Sequence, residues 1–260
     1  MEIHDFARLV LLSEDLAVKL APPAVELTDD APGPPFRAAG PGRPANLRMV
    51  SGTRARAPRI QGMGDPAQRP RILHALANHE LQAAELFAWA LLLFTGAPRE
   101  FRQGLTAILL DEQRHTRMYI ARVEANGARF GDLPVHGYFW DKVHRIATPL
   151  NFLCAMSLTF ENANLDHTVD YATAARRAGD EKTAAVIDRV HRDEIEHVRF
   201  GWTWLQRWKR PEQSAWEAFR ANLAPPLLPT RARGQSFHRR GRETAGLDED
   251  FIRHLETSLR

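Results

Sequence analysis

Two short runs in this chain carry residue types that can do chemistry. DEQRH places Asp111, Glu112 and His115, and DEIEH places Asp193, Glu194 and His197, at the same offsets. The runs stand 82 residues apart (193 − 111) in a sequence with no other obvious repeat. On a helix, positions i and i+3 share a face, so each Glu-x-x-His pair aims a carboxylate and an imidazole at one point. Of the 11 histidines, only His115 and His197 have Glu three residues earlier. Counting back 32 residues from Glu112 reaches Glu80, and counting back 33 from Glu194 reaches Glu161. Four carboxylates and two imidazoles form a donor set for a pair of metal ions, and this combination suits iron, manganese or zinc better than soft metals. Cys154 is the single cysteine, which excludes internal disulfides, thiolate zinc sites and protein-held iron–sulfur clusters.

The elements that must position these residues are long helices. Apolar periodicity and terminal signals predict helices over 69–94, 98–127, 149–179 and 180–209, with Pro98 in a first turn and Asp180 as an N-cap. The first two are joined by a few residues, as are the last two, so each pair forms an antiparallel hairpin. The aromatic-bearing stretch 126–148 crosses between the hairpins. All-α architecture follows, and two hairpins with one long crossover is the connectivity of ferritin-like four-helix bundles. The expected organisation is an N-terminal helix and Pro/Gly-rich arm over 1–68, the bundle over 69–210, and an extension with short helices over 211–260. Within it, single helices are expected over 3–20, 212–222 and 248–259, and an irregular arm over 21–66.

Glu80 and Glu161 each stand opposite a Glu-x-x-His pair across their own hairpin. Leu73, Ala77, Ala84, Phe87 and Leu91 share a stripe with Glu80, while Val190, Val198 and Gly201 flank Glu194. These carboxylates therefore interrupt apolar stripes, and a buried carboxylate without a compensating partner is costly. The competing reading is a set of surface salt bridges on amphipathic helices. Glu85 and His79 project about 140° and 100° away from Glu80, and His74 reads as a packed or surface histidine. His191, three residues before Glu194, and Tyr119, one turn after His115, are candidates to stand beside the ligands. The VHGYFW run of the crossover suits either a cover over the site or ordinary loop packing.

Composition sets the outer limits. The chain has 260 residues, of which 44% are hydrophobic. Its longest apolar run, LFAWALLLF, is too short to cross a membrane. The start MEIHDFARLVLL lacks the basic opening of a signal peptide, so a cytoplasmic protein is expected. The formal charge of +3 concentrates in basic runs near both ends, which read as a solvated surface or as phosphate contacts.

The paired Glu-x-x-His with a Glu one helix earlier resembles the ferritin-like di-iron carboxylate superfamily. HELQAAELFAWALL, DEQRH, GDLPVHGYFW and DEIEH resemble a bacterial ferritin-like family of unknown function related to the tRNA-modifying hydroxylase MiaE. The similarity spans about residues 69–208. It implies that Glu80, Glu112 and His115 favour one iron, that Glu161, Glu194 and His197 favour the other, and that Glu112 and Glu194 bridge them. It further implies that Asp111 and Asp193 brace the ligand histidines, although Glu196 stands where the first run has Arg114. The implied activity is an oxygenase or hydroxylase with O2 as co-substrate, an external electron donor, and a small molecule or tRNA as substrate. Iron oxidation, storage or peroxide removal is the second reading, and a metal-stabilised RNA-binding module is the third. Manganese is the alternative metal.

Overall fold

The computed structural model describes residues 1–51, 55–143 and 146–258, and all extended regular structure among them is helical, with two isolated backbone bridges. The chain divides into two compact units, Met1–Asp141 and Lys142–Arg260, each holding one helical hairpin and the adjoining terminal extension.

In the first unit the expected opening helix is broken into α1 (Ile3–Leu12) and α2 (Leu16–Leu20). Ser13 and Asp15 cause the break: Ser13 Oγ accepts from the Asp15 N–H at 3.0 Å, and Asp15 Oδ1 accepts from the Ala17 N–H at 2.7 Å. Short polar side chains compete for the backbone donors that a continuous helix would use. The hairpin follows as α3 (Arg69–Leu93) and α4 (Arg99–Ala125), close to the expected limits, with Pro98 at the N-cap rather than inside the first turn. Helix α1 buries Phe6, Val10 and Leu11 as it packs against α3.

The Pro/Gly-rich arm is tied down at several points. Phe36 N–H donates to Leu92 O at 2.8 Å, Gly42 N–H to Leu11 O at 2.9 Å, and Trp89 Nε1–H to Ala38 O at 3.2 Å. A Cβ on Gly42 would lie 2.1 Å from the Leu12 carbonyl oxygen, so only glycine lets the arm approach the end of α1 this closely. Leu20, Leu47, Leu81 and Val135 then join α2, the arm, α3 and the crossover in one apolar cluster. Among the described residues the crossover carries one short helix, α5 (Trp140–Val143).

In the second unit, Thr148 caps α6 (Pro149–Ala155), which runs without interruption into a π-helical turn, Met156–Glu161, and then α7 (Asn162–Arg177). The expectation of one regular α-helix over 149–179 is corrected here. An inserted residue widens the turn, and Thr159 Oγ1 donates to the Cys154 carbonyl five residues back at 2.6 Å. Gly179, at φ 73°, turns the chain, and Asp180 caps α8 (Glu181–Trp208) by accepting from the Thr183 N–H at 3.0 Å. Gly201 of α8 brings that helix against the π turn, since a Cβ there would sit 2.4 Å from Ser157 Cβ.

Helix α9 (Ala215–Asn222) begins three residues later than expected because Ser214 and Glu217 form a capping box. Helix α10 (Arg239–Ala245) falls in a basic stretch where no helix was expected. Helix α11 (Glu249–Thr257) starts from Asp248 as expected, while Leu259 of the expected helix lies outside the described residues. Trp202 and Trp216 pack on Phe251 with ring centroids 5.2 and 5.5 Å apart, fixing the extension to α8.

Candidate metal centre

Each unit brings its three expected ligands together. In the first, α3 supplies Glu80 and α4 supplies Glu112 and His115, and all three are buried. His115 Nδ1 lies 3.4 Å from Glu80 Oε2 and 3.7 Å from Glu112 Oε2. In the second, the residue closing the π turn is Glu161, and α8 supplies Glu194 and His197. His197 Nδ1 lies 3.8 Å from Glu161 Oε1 and 3.6 Å from Glu194 Oε2. Within each triad, one donor atom per residue lies within 4.8 Å of the others.

These separations fit a common ion. Two donors about 2.1 Å from one metal stand about 3.0 Å apart in octahedral geometry and about 3.4 Å apart in tetrahedral geometry. Bringing each histidine and its two carboxylates onto one cation therefore needs the Glu–His separations to close by under about 1 Å. When ionised, two carboxylates beside one imidazole put two negative charges in a medium with little water, and a divalent cation offsets them. Each set of buried Glu and His side chains can hold a metal ion.

The surrounding residues orient the ligands. Asn164 stands three residues after Glu161, and its side-chain amide donates to Glu194 Oε1 at 2.8 Å. Its backbone carbonyl accepts from Thr168 Oγ1 at 2.6 Å. Thr168 has one proton and has spent it, so toward His191 Nδ1, 2.8 Å away, it accepts. His191 therefore carries its proton on Nδ1, and burial draws its pKa below the ordinary histidine value. Asp111 pairs with Arg114 at 2.7 Å. Glu196, which replaces that arginine in the second run, pairs instead with Arg199. Asp193 takes its cation from Arg189, one turn earlier, at 2.9 Å. The acid–arginine pairing is thus retained with a different partner. Tyr119 is buried on α4.

The other sequence candidates take different partners. Glu85 is fully buried and accepts from Arg43 Nε and Nη2 at 2.9 and 2.7 Å and from Trp140 Nε1 at 3.2 Å. Lys19 Nζ stands 3.3 Å from the same carboxylate; burial lowers the lysine pKa, and Glu85 opposes that shift. His79 faces His136, with Nε2 atoms 3.3 Å apart, and His74 Nε2 accepts from the Gly131 N–H at 3.0 Å. The VHGYFW run docks along α3, where Phe139 N–H reaches Gln82 Oε1 at 3.2 Å.

The second unit repeats the clamp seen at Glu85. Five residues after Glu161, as Glu85 is five after Glu80, Asp166 holds Arg242 of the C-terminal extension at 2.7 and 2.9 Å, with both side chains fully buried. Sequence reasoning missed both arginines, because Arg43 and Arg242 lie 42 and 76 residues from their partners. It also missed Asn164, whose signal was its i+3 relation to Glu161.

A family described as "Protein of unknown function (DUF455)" matches residues 7–253. Comparison with curated proteins and with solved structures gives no match.

Proposed function

The chain belongs to the DUF455 family over nearly its whole length, and we propose from its buried carboxylate and imidazole groups that it is a dinuclear iron oxidoreductase built on a ferritin-like four-helix bundle. Glu80, Glu112 and His115 would hold one ion, and Glu161, Glu194 and His197 would hold the other. The observation that carries this reading is the recurrence of one buried Glu, Glu, His triad in both units, each built from a Glu on the first helix of a hairpin and Glu-x-x-His on the second. Manganese is the alternative metal for the same donors.

Iron held by these residues would supply electrons to O2. For a hydroxylation the balance is RH + O2 + 2 H⁺ + 2 e⁻ → ROH + H2O, so an external electron donor is a required partner. The four carboxylates would offset the metal charge, the imidazoles would complete the donor set, and burial keeps bulk water from these groups. Asp111 and Asp193, each held by an arginine, define the charge around the ligand-bearing turns. A storage protein needs little beyond its bundle, whereas here both terminal extensions are anchored by buried arginines, which favours an enzyme. A small molecule or tRNA is the substrate, the latter through the basic terminal runs.

Metal analysis of the purified protein beside Glu112→Ala and Glu194→Ala tests the site. Close to two equivalents in the parent and their loss in the variants are expected, and unchanged content refutes it. Anaerobic Fe(II) loading followed by an O2 pulse should produce a transient visible absorbance. Its absence with two irons bound refutes oxygen activation.

A further inference from the structure

We infer that a cleft in the first unit binds the phosphate group of a small phosphate monoester. The inference does not depend on the metal reading, because Glu80, Glu112 and His115 take no part in lining this cleft. One wall is a single face of α3, on which Arg71, His74 and Asn78 recur at i, i+3 and i+7. The arm contributes Arg56, and the crossover contributes the run from Leu133 to His136. These walls are tied together: Val50 N–H of the arm donates to Val135 O at 2.8 Å, and Asn78 Nδ2 donates to His136 O at 3.0 Å. Asn78 Oδ1 in turn accepts from Arg43 Nη1 at 3.0 Å. The cavity volume of about 40 Å³ compares with about 10–15 Å³ for a single water, so a group of a few heavy atoms fits.

The groups left over for a ligand are donors. His136 is committed, since its Nδ1 accepts from the Tyr138 N–H at 3.3 Å and its Nε2 therefore carries the ring hydrogen, directed at His79 Nε2 3.3 Å away. His74 is not. It is 2% exposed, and its Nε2 accepts from the Gly131 N–H at 3.0 Å, so Nδ1 carries the hydrogen and no described residue accepts it. With this buried donor stand the exposed Arg56 and Arg71, neither of which has an acid partner among the described residues. The buried arginines of the same unit, Arg43 and Arg102, each hold a carboxylate instead. No Asp or Glu is among the described residues that line the cleft, and Asp132, the acid that acts on His74, is paired with Arg129 at 3.4 Å. Two cations and a neutral N–H suit a dianion with three terminal oxygens, which a phosphate monoester supplies. A carboxylate or a phosphodiester brings a single charge.

The experiment is calorimetric titration of the full-length chain at about pH 8, where a monoester is a dianion, with inorganic phosphate, glycerol 3-phosphate, acetate and a short uridine oligonucleotide. The parent is measured before and after chelation, beside Arg56→Ala, Arg71→Gln and, as a control on α7, Arg177→Ala. Far-UV circular dichroism checks that each variant folds. Saturable binding of phosphate and glycerol 3-phosphate is expected, with a Kd of about 1 mM or tighter, unchanged by chelation and in Arg177→Ala. Arg56→Ala and Arg71→Gln should each weaken it by about tenfold. Absence of saturation, unaltered binding in either folded cleft variant, or binding of acetate or the oligonucleotide as tight as that of glycerol 3-phosphate would each overturn the inference. Loss of phosphate binding on chelation would move the anion to the metal centre, overturning the cleft while leaving the metal reading intact.

Discussion

Asp166→Asn replaces one carboxylate oxygen with an amide nitrogen, and this small change should have a large effect. The carboxylate accepts four bonds: from Arg242 Nη1 at 2.7 Å, Arg242 Nη2 at 2.9 Å, Gly234 N at 2.7 Å and His238 N at 2.7 Å. Neither Asp166 nor Arg242 is exposed. The asparagine leaves a guanidinium charge in the interior with only neutral acceptors, the amide Oδ1 and the carbonyls of Asn162, Ala232 and His238, and turns an N–H toward donors. Breaking a buried pair in this way costs about 3–5 kcal/mol. Arg242→Met should cost less, about 3 kcal/mol, because Asp166 keeps two charge-assisted backbone bonds. The double variant carries neither charge, so its cost should fall below the sum of the singles by about 2 kcal/mol or more. Urea unfolding gives the three free energies. Limited proteolysis should show cuts within 229–258 appearing first in Asp166→Asn, because this pair holds the extension on α7. Single-variant losses under about 1 kcal/mol, the range of an exposed ion pair, would refute the reasoning, as would strict additivity.

His74 gives a pH dependence. Its Nε2 accepts the Gly131 N–H, and burial lowers its pKa, so between the folded value and about 6.5 the unfolded chain binds a proton that the folded chain refuses. Its stability contribution is full above pH 6.5 and falls by about 1.4 kcal/mol per pH unit as acid is added, until the folded pKa is reached. Unfolding curves from pH 8 to 5 should be flatter in His74→Gln, and an unchanged slope would refute this. Gly201→Ala, which in an exposed helix would stabilise by about 1 kcal/mol, should instead destabilise by about 1–3 kcal/mol, because its Cβ meets Ser157 on the π turn. A raised melting temperature would show that α8 does not press on that turn. Burial pushes the Cys154 thiol pKa up, and the side chain is fully enclosed. Thiol reagents should therefore modify it at the rate of unfolding, and rapid labelling of the native protein would contradict its place in the core.

Much of the hairpin structure was readable because its signals are local. The caps at Asp180 and Asp248 act within one turn of their own residue, so their positions survive folding unchanged. The break between α1 and α2 is also local, yet an apolar stripe running through Ser13 and Asp15 hid it. The π turn at Met156–Glu161 has no such signature. Adding one residue shifts the helical phase by about 100°, so a count carried from Pro149 aims Glu161 wrongly even though its helix is assigned correctly.

What the sequence alone determined was the set of donors: Glu-x-x-His spacing is a property of one helical face, and matching 32- and 33-residue intervals to Glu80 and Glu161 are a property of hairpin length. Tertiary structure decided which polar groups those donors meet. Glu85 and Glu80 have the same chemistry and lie five residues apart, yet one is neutralised by Lys19 and Arg43 while the other joins His115. Asn164 became a partner of Glu194 only when α7 was laid against α8. A buried charge takes whichever opposite charge or dipole the packing brings within about 3 Å, and packing between residues 30 to 76 positions apart leaves no periodic trace along the chain.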